Sequence, residues 1–145
     1  MLRGFFNLIK LTNPLFFSFL LLISCKVFSA EPIDNNSFDA FIKKVATLKD
    51  ANTREALLYL NAQSENTSSL SIENQLIFYK YLAEIYVEQA LYQKTIEVAD
   101  KALKLGKGLS NPSITTSEIL YSRGFAVESL GDYQAAHDDY LNGLE

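Results

Sequence analysis

Between Ile72 and Gln89 the apolar residues Ile72, Leu76, Tyr79, Leu82, Ala83, Tyr86 and Val87 recur at three- and four-residue intervals. This is the spacing that lines one face of an α-helix. After Ala90-Leu91 a second stripe runs through Tyr92, Ile96, Ala99, Ala102 and Leu103, so the pattern predicts two helices joined by a tight turn. Lys101, Lys104 and Lys107 gather where the second helix should end, matching cations to the negative end of its dipole. Gly106 and Gly108 are its predicted stop. Asn111-Pro112 predicts the next start, with Asn as cap and Pro in the first turn. The apolar positions of that helix are Ile114, Ile119, Leu120, Phe125, Val127 and Leu130, and Gly131-Asp132 turns into a last helix from Tyr133.

Upstream the same spacing is shorter and less regular. Phe38, Phe41, Ile42, Val45 and Leu48 make one helical stripe that Asn36 or Ser37 could cap. Asp50-Ala51-Asn52-Thr53 interrupts it, and Ala56, Leu57, Tyr59 and Leu60 resume it. Residues 31–71 thus read as a linker followed by a degenerate or capping helical pair, with the polar stretch Ser64 to Ser71 as loop. Asn35-Asn36-Ser37 and Asn66-Thr67-Ser68 match the glycosylation triplet, a match that arises often by chance.

Residues 1–30 differ in kind. They contain no Asp or Glu; Arg3 and Lys10 precede the apolar run Leu15 to Ser24, and Lys-Val-Phe-Ser-Ala follows Cys25. A basic start, a short apolar centre and small residues at the end make a secretory signal. The run is too short for a membrane span of about 20 residues. Two cleavage readings stand: a cut after Val27-Phe28-Ser29 or one residue later, or acylation of Cys25, because Leu22-Ile23-Ser24-Cys25 resembles the lipobox of bacterial lipoproteins. The first releases the product and the second tethers it to a membrane.

Charge and chemistry narrow the function classes. The net charge of −4 conceals three cations in the leader, leaving 10 basic residues against 17 acidic ones beyond it. That balance makes a poor ligand for nucleic acid. Cys25 is the one cysteine, so the remaining chain can hold neither a disulfide nor a cysteine metal cluster. His137, the one histidine, lies beside Asp138 and Asp139. Adjacent helix positions point in different directions, which makes it a surface histidine rather than a ligand or base. No phosphate loop, nucleophile elbow or zinc spacing appears, so the expectation is a non-enzyme without metal or cofactor.

The helical stripes also repeat. Tyr92, Gln93 and Leu103 return at one constant offset as Tyr133, Gln134 and Leu144, and an offset of this order marks stacked helical units. With Tyr79, Leu82, Ala83, Tyr86, Tyr92, Ala102 and Leu103 in one unit and Leu120, Gly124, Gly131, Tyr133, Ala136, Tyr140 and Leu144 in the next, the chain resembles tetratricopeptide repeats. Thr95, Ala99, Arg123 and Gly143 depart from that pattern, and the step from Tyr92 to Tyr133 is longer than the repeat length usual in that family. The expected fold is all-α: antiparallel helix-turn-helix repeats forming a tetratricopeptide-like α-solenoid, with two units over residues 72–145, the second incomplete.

The resemblance implies a groove on the inner helices that takes protein or peptide. On this register its positions are Ile77, Lys80, Glu84, Val87 and Glu88, then Glu118, Tyr121, Phe125 and Glu128. The terminal-carboxylate clamp of chaperone-binding members needs Asn where Glu84 stands, so an acidic groove anchored by Tyr121 and Phe125 should favour a basic or aromatic segment. The last helix should leave Tyr133, Tyr140 and Leu144 poorly covered, which implies self-association, a partner or further chain. A signal followed by repeats is also similar to the periplasmic front ends of bacterial membrane sensors, especially diguanylate cyclases, although the Gly-Gly-Asp-Glu-Phe motif is absent. The expected product is an exported binding module of the bacterial periplasm or envelope. Its alternatives are the sensory part of a longer signalling protein and an envelope lipoprotein scaffold. Membrane contact would come through an uncleaved signal, a lipid anchor or a downstream segment.

Overall fold

A computed structural model describes residues 32–107, 109 and 113–144. The expected signal segment with Cys25 and the expected Asn111-Pro112 cap lie outside the described residues. Within them the structure is helical throughout, without a strand. Six α-helices follow one another: α1 (Phe38–Ala51), α2 (Thr53–Asn61), α3 (Ile72–Glu88), α4 (Tyr92–Gly106), α5 (Ile114–Ser129) and α6 (Tyr133–Asn142). Ser64–Ser69, expected as loop, forms a 3-10 helix. The hydroxyls of Ser64, Thr67 and Ser69 each donate to a carbonyl three residues back, satisfying backbone that a loop would leave to water.

Helix boundaries have local causes. At the start of α1, the Asp34 carboxylate accepts from both the amide and hydroxyl of Ser37, and these bonds lower the Asp34 pKa. Asn52, the predicted break, ends α1 by donating its amide to the Leu48 carbonyl and caps α2 by accepting from the amides of Arg54 and Glu55. Ser71 caps α3 and Asp132 caps α6. The cap of α5 is Ser113, whose hydroxyl accepts from the Thr116 amide, just beyond the expected Asn-Pro. The predicted stop of α4 is correct in place, but its C-cap is Lys107 with ordinary right-handed geometry.

Two chain reversals are bonded identically. At the end of α3 the Leu91 amide donates to the Tyr86 carbonyl and Ala90 to Val87; at the end of α5 Asp132 donates to Val127 and Gly131 to Glu128. Each is the Schellman closure, which requires a left-handed residue. Gly131 meets that need at φ +94°, and Ala90 meets it at φ +55° despite its Cβ. The step from one closure to the other, Leu91 to Asp132, equals the step from Tyr92 to Tyr133 in the sequence.

The helices pack as three consecutive pairs. Lys94 lies over Tyr86 and Lys101 over Tyr79, while Gly106 approaches Leu76, so α4 runs antiparallel to α3. In α5–α6, Arg123 meets Asp139 and Ser117 meets Gly143, again antiparallel. Across pairs, α1, α3 and α5 lie side by side and point the same way. Phe41 stacks on Phe78 and Lys49 reaches Glu84 and Glu88, while Lys80 reaches Glu118.

The core is centred on α3, which rests against α1, α2, α4 and α5. Seven of its residues are buried, the expected state of a helix with apolar residues on several sides. Phe38, Phe41, Val45, Leu60 and Ile119 from the neighbouring helices share the core with Phe78 and Ile85 of α3. Small residues set the close approaches: a Cβ on Gly124 would stand 2.7 Å from Cε1 of Tyr140. Ile114 and Leu130, expected on the apolar face of α5, are instead 82% and 56% exposed, because both lie at the helix ends beyond the reach of neighbouring helices.

Arg123, which stands where the repeat pattern has an apolar residue, is a polar clamp. Its Nε and Nη2 donate to the two carboxylate oxygens of Asp139, at 2.8 and 2.5 Å, and Nη1 donates to Asp100 at 2.5 Å. One guanidinium thereby ties α4, α5 and α6 together. The Asp139 hydrogen bonds, outweighing burial and aided by Asp100, raise the Arg123 pKa.

Candidate groove on the inner helices

Because α3 and α5 run parallel, residues at similar heights on the two helices face a shared groove. A cavity of about 320 Å³ lies there, lined by Glu84, Val87 and Glu88 from α3, Glu118, Tyr121, Ser122 and Phe125 from α5, and Lys49 from the end of α1. The rings supply its apolar surface: Tyr121 is 64% and Phe125 38% exposed. Phe125 is held edge-on by Tyr92 at 6.2 Å and Tyr121 leans on Tyr140 at 5.6 Å.

Charged side chains cross the groove as an alternating series. Lys49 Nζ sits 2.6 Å from Glu84 and 3.3 Å from Glu88; Lys80 Nζ sits 3.6 Å from Glu84 and 3.3 Å from Glu118. Three carboxylates are thus shared by two ammonium groups. Glu84, in the middle, is neutralised from both sides, while Glu88 and Glu118 at the ends are 44% exposed and have one cation each. The excess is a single negative charge at partly exposed ends. Burial acts to lower the Lys49 pKa, but the hydrogen bond and charge of Glu84, with Glu88 beside it, outweigh burial and raise it. Pairs this exposed contribute roughly 0–1 kcal/mol each, so their role is to fix the positions of the carboxylates.

Of the residues expected in the groove, Glu84, Val87, Glu88, Glu118, Tyr121 and Phe125 are brought together. Lys80 joins them through its ion pairs, and both its partners are carboxylates, so it is not free to clamp a ligand carboxylate. Ile77 packs against the core. Glu128 does not reach the cavity: its carboxylate accepts from the Tyr140 hydroxyl at 2.7 Å, drawing it toward α6. Lys49 and Ser122 are additions that sequence reasoning missed. Lys49 could not be assigned because α1 lies outside the register that relates the two later units, and Ser122 because its hydroxyl is occupied internally by the Glu118 carbonyl.

Two other features are accounted for within the chain. The larger cavity between α4 and α5, about 620 Å³, has Asp100 and Arg123 among its polar walls, and these are bonded to each other. His137 is exposed and 3.5 Å from Asp138. Among the described residues there is no His/Cys/Asp/Glu group that could hold a metal ion, and no helix is long and apolar enough to cross a membrane. Compared with protein-family profiles, curated proteins and solved structures, the chain matches none.

Proposed function

We propose that the chain is an exported, non-catalytic binding module of the tetratricopeptide-repeat kind, whose inner groove takes a peptide carrying basic and aromatic residues. The observation that carries this reading is the groove itself: two partly exposed rings beside carboxylates that have fewer cations than they can bind. Aromatic anchors in a partly desolvated cleft concentrate binding energy, and a local excess of negative charge selects and steers cationic ligands. The shared bonding of the two turns, set apart by the same step as Tyr92 and Tyr133, supports the repeat kinship. The leader-like composition of residues 1–30 supports export.

Panning a random peptide library against the chain tests the proposal. Enriched sequences should combine Arg or Lys with an aromatic residue, and their binding should weaken as salt rises. The double variant Tyr121→Ala/Phe125→Ala should lose this enrichment while keeping its helical circular dichroism. A folded double variant that enriches the same peptides would refute the groove as the binding site.

A further inference from the structure

Where α1 turns into α2, a cavity of about 570 Å³ opens against the end of α3. Asn52, Arg54, Leu57 and Leu58 wall it from the turn and α2, and Gln89, the C-cap of α3, walls it from the other side. None of its residues lines the inner groove. Its volume falls in the range of small-molecule sites, about 300–1,000 Å³.

The polar groups of this cavity are donors in excess of acceptors. Gln89 Nε2 is closed off from solvent and has no hydrogen-bond acceptor among the described residues. Buried amide groups are ordinarily paired, and an N–H without an acceptor is destabilising until one is supplied. Because Gln89 itself lines the cavity, a turn of its side chain carries that N–H to an acceptor there. Arg54 is exposed and makes no ion pair among the described residues. Asn52 spends its side-chain oxygen on the amides of Arg54 and Glu55, so its NH2 group is what it has left to offer. Asp50, Glu55 and Glu88 are neighbours in sequence, yet none of them lines the cavity, and Glu88 is held by Lys49.

One unpaired guanidinium beside amide N–H groups, with no carboxylate in the same walls, selects an anion. The planar fork of Arg matches the two oxygens of a carboxylate, and a single cation balances a monoanion better than a doubly charged phosphate. Leu57 and Leu58, the latter 66% exposed, give the same cavity an apolar side. We propose that this cavity binds a carboxylate carried on an apolar body, its oxygens on Arg54 and the Gln89 amide and its apolar part against Leu57 and Leu58.

Titration of the nitrogen-15-labelled full chain, followed by proton–nitrogen correlation spectra, tests this directly. The probes are 4-methylpentanoate, standing for a free acid, and N-acetylleucine, standing for a peptide C-terminus, each with its neutral amide as control. At least one acid should shift the Gln89 side-chain NH2 signals saturably at millimolar concentration, and at least tenfold more tightly than its own amide. Arg54→Gln should weaken that acid at least tenfold and Gln89→Met at least threefold, both variants keeping their helical circular dichroism. Tighter binding of N-acetylleucine assigns the carboxylate to a peptide end, and tighter binding of 4-methylpentanoate assigns it to a free acid. The proposal is overturned if neither acid shifts the Gln89 signals, if acid and amide bind equally, or if inorganic phosphate binds as tightly as the acids. Unchanged binding by a folded Arg54→Gln chain, or shifts confined to Tyr121 and Phe125 of the inner groove, would overturn it as well.

Discussion

Replacing Asp139 by Ala isolates the Arg123 clamp. The Asp139 side chain is 6% exposed and Arg123 25%, whereas Asp100 is 57% exposed. Removing one member of a buried pair leaves the other charge uncompensated, at a cost of about 3–5 kcal/mol. Arg123 keeps Asp100 and some water, so Asp139→Ala should lie near the lower end, about 3 kcal/mol. Asp100→Ala removes a solvated partner and should cost no more than about 1 kcal/mol. For a domain of this size a loss of about 3 kcal/mol lowers the melting temperature by roughly 10–20 °C. Urea unfolding followed by far-ultraviolet circular dichroism measures the free energies, and a double-mutant cycle over Arg123→Ala and Asp139→Ala measures their coupling. Exchanging the pair for apolar residues, Arg123→Met with Asp139→Leu, should recover stability to within about 1 kcal/mol of the parent. If Asp139→Ala costs less than about 1 kcal/mol, or no more than Asp100→Ala, the guanidinium is not a clamp.

Further outcomes follow from single positions. Ala90→Gly should stabilise by about 0.5 kcal/mol, since relief of a left-handed alanine, roughly 1–2 kcal/mol, exceeds the added chain entropy; Gly131→Ala should destabilise by about 1 kcal/mol, both read by urea unfolding. Gly124→Ala should cost about 1–3 kcal/mol by driving a Cβ into the Tyr140 ring, and adding Tyr140→Leu should return part of that loss. Burial, then the hydrogen bond and charge of Glu128, raise the Tyr140 pKa to about 12. Its contribution to stability is therefore intact below pH about 10, the unfolded value, and is lost as pH rises through about 12. Melting temperature against alkaline pH should show this fall, and Tyr140→Phe should flatten it.

What the sequence made legible was local. Seven apolar positions at helical spacing located α3 to within a residue, and Gly131-Asp132 placed the start of α6, because periodicity and turn chemistry act over a few neighbours. The groove rings Tyr121 and Phe125 were legible for the same reason, once α3 and α5 had been put in register. The Arg123 clamp was not, since its partners Asp100 and Asp139 stand on other helices and no short pattern pairs them. Glu128 had groove spacing but was claimed by Tyr140, a competition that only packing decides. Lys49 was hidden by the irregular α1–α2 turn, where an extended Asn52 replaces the left-handed residue of the other two reversals.

The common direction of α1, α3 and α5 gives the inner surface an electrical polarity. Each helix carries about half a positive charge at its first turn and half a negative charge at its last, so all three positive ends lie along one edge of the groove and all three negative ends along the other. A linear ligand laid along the groove meets a graded potential, and its two orientations differ in energy. A peptide with its positive charge toward Glu88 and the helix C-termini rests with that gradient; the same peptide reversed rests against it. A peptide held in such a groove would therefore bind more tightly in one direction than in the other, even when the two have identical composition.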